Sequence, residues 1–416
     1  MVNARRYLTA IGAIAVLAVL VGSTASNAFA NTVFVSNTAP LSTSGRSCEA
    51  PRYATIQEAV DAVEPGTSIK VCPGTYAEQL VIEKSVKVIG ADPATPPTVT
   101  APEVVAHPTG PCATGAEADI EVMVCAASPV RLSNLHIDAR FSEPTCAGEM
   151  KPYGVLVGGG ATLTATHDEV LAPNRCSSGV GVAVGTTDAV EQTGHATLRA
   201  VSVSGYSGRG IAATGAGSSV RVIASDVHGG TEGSSAPTGI EISRGATGAV
   251  KGSTIARNSL VGRTLGTGIL VDRAAPPVVI ANDTLEEDGI GVHLASGATT
   301  APSTPELILR RSRILNSDST ALLLEQGTAS IAHNLIEGGE YGIKILQFGS
   351  QPFAVDATAA YDTISGMQGA AIYVVSDHAA SDPPGDFLIK NSAISNNAAE
   401  VINESSTFTV TRSNDT

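Results

Sequence analysis

At 416 residues the chain is long for a single globular core, and 43 glycines with no tryptophan give it little of the bulk that fills one. A net charge of −14 disfavours nucleic acid as a partner. It also disfavours anionic lipid, and polyanionic sugars such as pectate unless cations bridge them.

Residues 1–30 read as a signal peptide. Arg5 and Arg6 form the basic start, Leu8 to Val21 the apolar stretch, and Ala28-Phe29-Ala30 a small-residue cleavage site. The pair Arg5-Arg6 is followed by Tyr7-Leu8-Thr9, a poor match to twin-arginine export. No later run is apolar and long enough to span a membrane, so the mature chain is expected to be secreted, with no membrane span.

Thr32 to Val35 reads as a first strand. Thr55-Ile56-Gln57-Glu58 matches a capping box, with Thr55 accepting from the Glu58 amide and Glu58 reaching back. Ile56, Ala59, Val60 and Val63 then make one apolar stripe, and Pro65-Gly66 ends this short helix. A helix placed before the first strands caps an edge that would otherwise invite pairing. Ser68 to Val71, Gln79 to Ile82 and Ser85 to Ile89 begin the coils.

Residues 91–152 are irregular and proline-rich, with one strand expected at Asp119 to Cys125 and a second insertion through Glu143 to Pro152. All six cysteines precede residue 180, and an even count in an exported chain argues for disulfides. Sequential pairing is expected, Cys48–Cys72, Cys112–Cys125 and Cys146–Cys176, each tying neighbouring segments. Zinc would need close C-x-x-C spacing, which is missing.

From Tyr153 to Thr416 one phrase returns every 21 to 30 residues: a small residue, then aliphatic-any-aliphatic. Examples are Gly210-Ile211-Ala212-Ala213, Gly239-Ile240-Glu241-Ile242, Gly268-Ile269-Leu270-Val271 and Gly342-Ile343-Lys344-Ile345. A second phrase ends on Val227, Ile255, Leu285, Ile314, Ile336, Ile364 or Ile394. Two residues before it stands Ser225, Ser253, Asp283, Ser312, Asn334, Asp362 or Ser392. After several of these, Gly229, Asn316, Gly338, Gly366 or Asn396 tolerates left-handed backbone angles. Short strands inside such a period make a solenoid, and the corner Ser, Asn and Asp can bond to the next coil. The fold class is therefore all-β, a parallel β-helix; the Leu-rich consensus of the rival leucine-rich repeat is absent. One domain spans 31–416, with 31–90 the first strand, cap helix and first coils, 91–152 irregular coils with loops, and 153–416 regular coils.

Three segments carry a family resemblance: the helix Thr55 to Val63, the turn Pro73-Gly74-Thr75-Tyr76-Ala77-Glu78, and the strand Ile82 to Gly90. Together they resemble the start of the pectin-lyase-like superfamily, and the resemblance extends over nearly the whole mature chain. It implies a right-handed helix, and a polysaccharide lyase, glycoside hydrolase or carbohydrate esterase as one class of function. Gly74-Thr75-Tyr76-Ala77-Glu78 matches the Gly-x-Tyr-x-Glu motif of the methylesterases, but the paired aspartates, glutamines and Arg-Pro-Trp that complete their site are not found. The Asp-Asp, Gly-His-Gly and Arg-Ile-Lys strings of polygalacturonases are missing too. Asn282-Asp283-Thr284 resembles a polygalacturonase string only in composition, and Asp283 falls on the corner ladder as a turn residue.

One constellation remains. With the strands in register, Glu241, Leu270, His293, Leu323, Lys344 and Tyr373 form an outward column, with Asp272 and Glu325 two residues further on and Arg244 and Arg273 beside them. Glu241 and Asp272 are then about 8 Å apart, inside the roughly 6.5–9.5 Å associated with inverting glycosidases. Glu241, Asp272 and His293 are the candidate catalytic residues; Lys344, Tyr373, Arg244, Arg273 and Glu325 are the candidate ligand contacts. No motif supports a metal, calcium or other cofactor. Because no complete catalytic set survives, the sequence favours a non-catalytic secreted β-helix that meets an extracellular glycan or surface. The alternatives are a polysaccharide-processing enzyme with a non-standard site and a structural or adhesive module.

Overall fold

One coil shows the plan of the computed structural model. Thr238–Ser243, Thr247–Lys251 and Thr254–Ala256 are three short strands on three faces, here called faces one, two and three. The next coil lays Thr267–Asp272, Val278–Ala281 and Thr284–Glu286 parallel upon them. The structure describes residues 31–103, 112, 119–125, 129–141, 152–174, 178–187, 191–229, 236–259, 265–296, 306–347, 355–376 and 384–414. The expected leader 1–30 and the pairing Cys146–Cys176 lie outside the described residues.

The repeat phrase is the face-one strand. Its two aliphatics point inward: Ile211, Ile240, Ile242, Ile269, Val292, Leu322 and Ile343 are all fully buried. The bore is thus filled by stacked Val, Ile and Leu, whose branched side chains suit a pleated surface buried on its inner side. Late in the chain, Arg313–Leu324, Leu335–Gln347 and Thr363–Ser376 run unbroken from face three around the corner into face one.

The corner between faces two and three is held by a ladder of side chains. Ser225, Ser253, Asp283, Ser312, Asn334, Asp362 and Ser392 each accept a hydrogen bond from a backbone N–H of the preceding coil, from Val201, Ser225, Ser253, Asp283, Ser312, Asn334 and Asp362 respectively. Each rung satisfies a buried donor that the bend removes from the sheet. The residue before several rungs is left-handed although it is not glycine, among them Ala224, Arg311, His333 and Tyr361. Such angles cost energy in bulky residues, and the ladder bonds offset it. Asn316, Gly338, Gly366 and Asn396 are left-handed as the sequence indicates, but Gly229 is not. Gly229 is needed for close approach instead: a Cβ there would sit 2.3 Å from the Arg257 carbonyl oxygen.

The N-terminal cap forms as expected with one change of partner. The helix is Ile56–Ala62, and Thr55 accepts from the Glu58 amide at 3.2 Å. The reach-back bonds come from Glu78, whose carboxylate takes the amides of Ile56 and Gln57, both at 2.8 Å. Tyr76 donates its hydroxyl to the Cys72 carbonyl at 2.9 Å. The Gly-x-Tyr-x-Glu string therefore fastens the cap to the first coil. Cys48–Cys72 ties the same region, and Cys112–Cys125 is bonded as well.

Candidate functional site

The three corners are unequal. From Val130–Ser133 onward, two residues suffice to pass from face two to face three, as at Asn282-Asp283. Over the same part of the chain the long connections enter or leave face one, for instance those from Asp138 to Tyr153 and from Ser296 to Leu307. Loops are where binding groups collect on a rigid scaffold, so face one is the framed face.

Its outward column has the register read from the sequence. Glu241 pairs with Leu270, Leu270 with His293, His293 with Leu323, Leu323 with Lys344, and Lys344 with Tyr373. Toward the N-terminus the same column continues through Ala212, Ala183, Leu156 and Met123. These four point outward yet are buried, and they join Cys112, Cys125, Ile120, Tyr153 and Val180 in a second apolar cluster outside the bore. The first half of face one is thus covered; further along, Leu323 is also buried, against the expected outward exposure, while Leu270, His293, Lys344 and Tyr373 are half-buried and leave this part the more open. Unbroken runs such as Val122-Met123-Val124 and Val155-Leu156-Val157 are the sign of burial on both faces.

Glu241 stands at the edge of the cover. It lies on the outward side as expected, but only 8% of it is exposed. Arg209 donates to its Oε2, and the Ser243 hydroxyl donates to Oε1 at 2.7 Å. A depression of about 70 Å³ opens beside it, lined by Tyr153, Ala183, Arg209, Ala212, Glu241 and Arg244. Arg244 donates to the Thr187 hydroxyl at 2.9 Å. Asp272, one coil on, is held by Arg273 through bonds of 3.2 and 2.9 Å. Both candidate acids are therefore already engaged by guanidinium groups.

Further along, His293 Nε2 lies 3.1 Å from Glu325 Oε1, close enough for an ion pair but not aligned as a hydrogen bond. Next come Tyr341 and Tyr373, stacked with centroids 4.7 Å apart. Lys344 Nζ sits 5.0 Å from the first ring centroid and 5.6 Å from the second. The Tyr373 hydroxyl donates to Glu404 at 3.0 Å. Desolvation, then the Glu404 carboxylate, raises the pKa of Tyr373; desolvation, then Glu340, raises that of Tyr341. The structure thus gathers Glu241, Asp272, Arg244 and Arg273 at one end of the open column and Lys344 and Tyr373 at the other, with His293 and Glu325 between. Tyr341 stands three residues before Lys344, outside the outward column, and meets Tyr373 diagonally across the coils.

The remaining carboxyls of interest are internal. Glu121 occupies the place held in the following coils by Gly154, Gly181 and Gly210; it is fully buried and neither oxygen has a hydrogen-bond partner. Burial, with Asp138 and Glu78 nearby, pushes it up to about 9. Among the described residues, no group of three or more His, Cys, Asp or Glu is placed to hold a metal ion.

The family model described as "Right handed beta helix region" matches residues 189–359. No curated protein matches the sequence. Among solved structures, the periplasmic alginate epimerase AlgG is similar with a TM-score of 0.52 and 11% identity, over 88% of this chain and 83% of that one. The Azotobacter vinelandii mannuronan C-5 epimerase AlgE4 A-module gives 0.51 and 14%, over 86% and 94%. The catalytic domain of a GH87 alpha-1,3-glucanase in complex with nigerose gives 0.56 and 13%, over 92% and 68%. At such identities the likeness is one of fold.

Proposed function

We infer that this chain, a right-handed parallel β-helix of the pectin-lyase-like superfamily, is an exported protein that binds a neutral glycan along the open half of face one. The observation that carries the reading is the Tyr341–Lys344–Tyr373 group. Two rings and an ammonium on adjacent rigid strands offer apolar contact for a sugar ring and a donor for its hydroxyls. Rigid strands keep such groups in place without an ordering cost at binding. Two disulfides in the cap and first coils agree with an exported chain. The solved structures similar in fold are named for work on polysaccharides, which adds an analogy of fold and no more. A glycan array probed with the mature chain tests the reading, with turnover assayed on every hit. Binding lost in Tyr341→Ala and Tyr373→Ala supports it; silence on neutral glycans, or hits indifferent to both substitutions, rejects it.

A second reading, polysaccharide cleavage on the same face, is favoured by the His293–Glu325 contact, in which a carboxylate sits against a ring nitrogen suited to proton transfer. Glu241 and Asp272 serve it less well, since arginines hold both. Turnover of an array hit, abolished by His293→Gln with binding retained, is its signature.

A further inference from the structure

Net charge hides how the charges are distributed. The ten face-two strands from Ser68–Val71 to Gly327–Ala332 contain no Asp or Glu, on a chain with 39 acids. They carry Lys70 and, all exposed, Lys87, Arg131, Arg199, Arg221, Lys251 and Arg310. Among the described residues none of these bases has an ion-pair or side-chain hydrogen-bond partner, whereas Arg140, Arg209, Arg257, Arg273 and Arg412 elsewhere are each paired with an acid.

The register sets the bases in two columns. Lys87 pairs with Arg131, and the column runs on through Thr164 and Thr197 to Arg221. The other runs from Arg199 through Ile223 to Lys251, then through Ala281 to Arg310. With about 4.8 Å per coil, Arg131 and Arg221 are about 14 Å apart, Arg199 and Lys251 about 10 Å, and the stripe from Lys87 to Arg310 about 34 Å long. Charges so far apart suit no single small anion; they suit a polymer with repeated charges. Midway lies a trough of about 420 Å³, where His195, Thr197, Ser219, Arg221 and Thr247 contribute polar groups and no carboxylate.

We propose that face two docks a linear anionic polysaccharide, carboxylated or sulfated, laid along the solenoid axis with one charged sugar seated in the trough. The ten strands contain no Phe, Tyr or Trp, so they lack the rings on which single-stranded nucleic acid stacks. Short hydroxyl side chains between the bases instead match the hydroxyls of a sugar chain. The site lies on a different face from the neutral-glycan group and does not depend on it.

The test is binding of polygalacturonate, dextran sulfate, neutral dextran and single-stranded DNA to the mature chain at low and high salt. Expected are salt-sensitive binding of one or both acidic polysaccharides and none of dextran. The triple charge reversal Arg131→Glu, Arg221→Glu, Arg310→Glu, on exposed side chains that leave the core untouched, should weaken that binding at least tenfold. Arg257→Glu, off the stripe, should leave it unchanged, as should Tyr341→Ala and Tyr373→Ala on face one. Undiminished binding by the triple variant, equal loss in Arg257→Glu, or a preference for DNA over both acidic polysaccharides overturns the proposal. A triple variant that binds neutral array glycans normally shows that any loss is local to face two.

Discussion

Removing one rung of the corner ladder tests why the coils stay in register. Asp283 accepts from the Ser253 amide at 2.7 Å and from the Ala281 amide at 2.8 Å, and it is almost wholly buried. Asp283→Ala leaves both donors without that acceptor where water does not reach, at about 1–3 kcal/mol each, or about 2–6 kcal/mol in all. Asp283→Asn keeps one acceptor but turns an NH₂ group toward the other donor, for about 1–3 kcal/mol. Asp283→Ser copies Ser253 and Ser312, whose hydroxyls accept from the coil before and donate to their own strand, and should cost about 1 kcal/mol. Urea unfolding followed by far-UV circular dichroism and by tyrosine fluorescence supplies the assay. The two probes must coincide before a single midpoint is used, because repeat arrays can lose two-state behaviour. If Ala and Ser at 283 proved equally stable, the ladder would be a by-product of the corner and not what holds it.

Other expectations follow from the same geometry. Ile269→Ala, at a fully buried position, should cost about 2–5 kcal/mol, while Leu270→Ala, half-buried on the outward side, should cost clearly less; the reverse order in urea midpoints would shift the register by one. Burial raises Asp168 and Asp283 to about 7, Asp288 to about 8, Asp362 to about 6 and Glu121 to about 9, all above their ordinary values of 3.8 and 4.5. The folded state then binds the extra protons, so its stability from these groups is fully present near pH 4 and lost as pH rises through 6 to 9. The urea midpoint should fall between pH 5 and pH 9, and a midpoint rising over that range contradicts the account. Cys48→Ser with Cys72→Ser opens a loop with a sequence separation of 24 and should lower stability by about 3 kcal/mol, read as a drop in thermal midpoint against the wild type; an unchanged midpoint would contradict it.

Much of the fold was legible because a solenoid repeats its signals. Ile269 and Leu270 fell on opposite sides as alternation requires, and Asp283 fell on the ladder because Ser, Asn and Asp recur at one place in each coil. What escaped depended on contacts that no local pattern encodes. Glu78, not Glu58, completes the helix cap, since the competing acid lies a coil away and reaches two amides at once. Glu241 was expected to be open to solvent, but its burial depends on a cover and on Arg209 from the preceding coil. The basic stripe was invisible to net charge, because Lys87, Arg131 and Arg221 are far apart in sequence and meet only through the stacking of coils.

Whether face one is the glycan face is decided by a crystal structure of the mature chain soaked with an oligosaccharide selected on the array. Sugar density is expected on the outward column, with a ring in contact with Tyr341 and Tyr373 and a hydroxyl within hydrogen-bond reach of Lys344. Density for a neutral sugar on face two or face three, with face one bare, would contradict it.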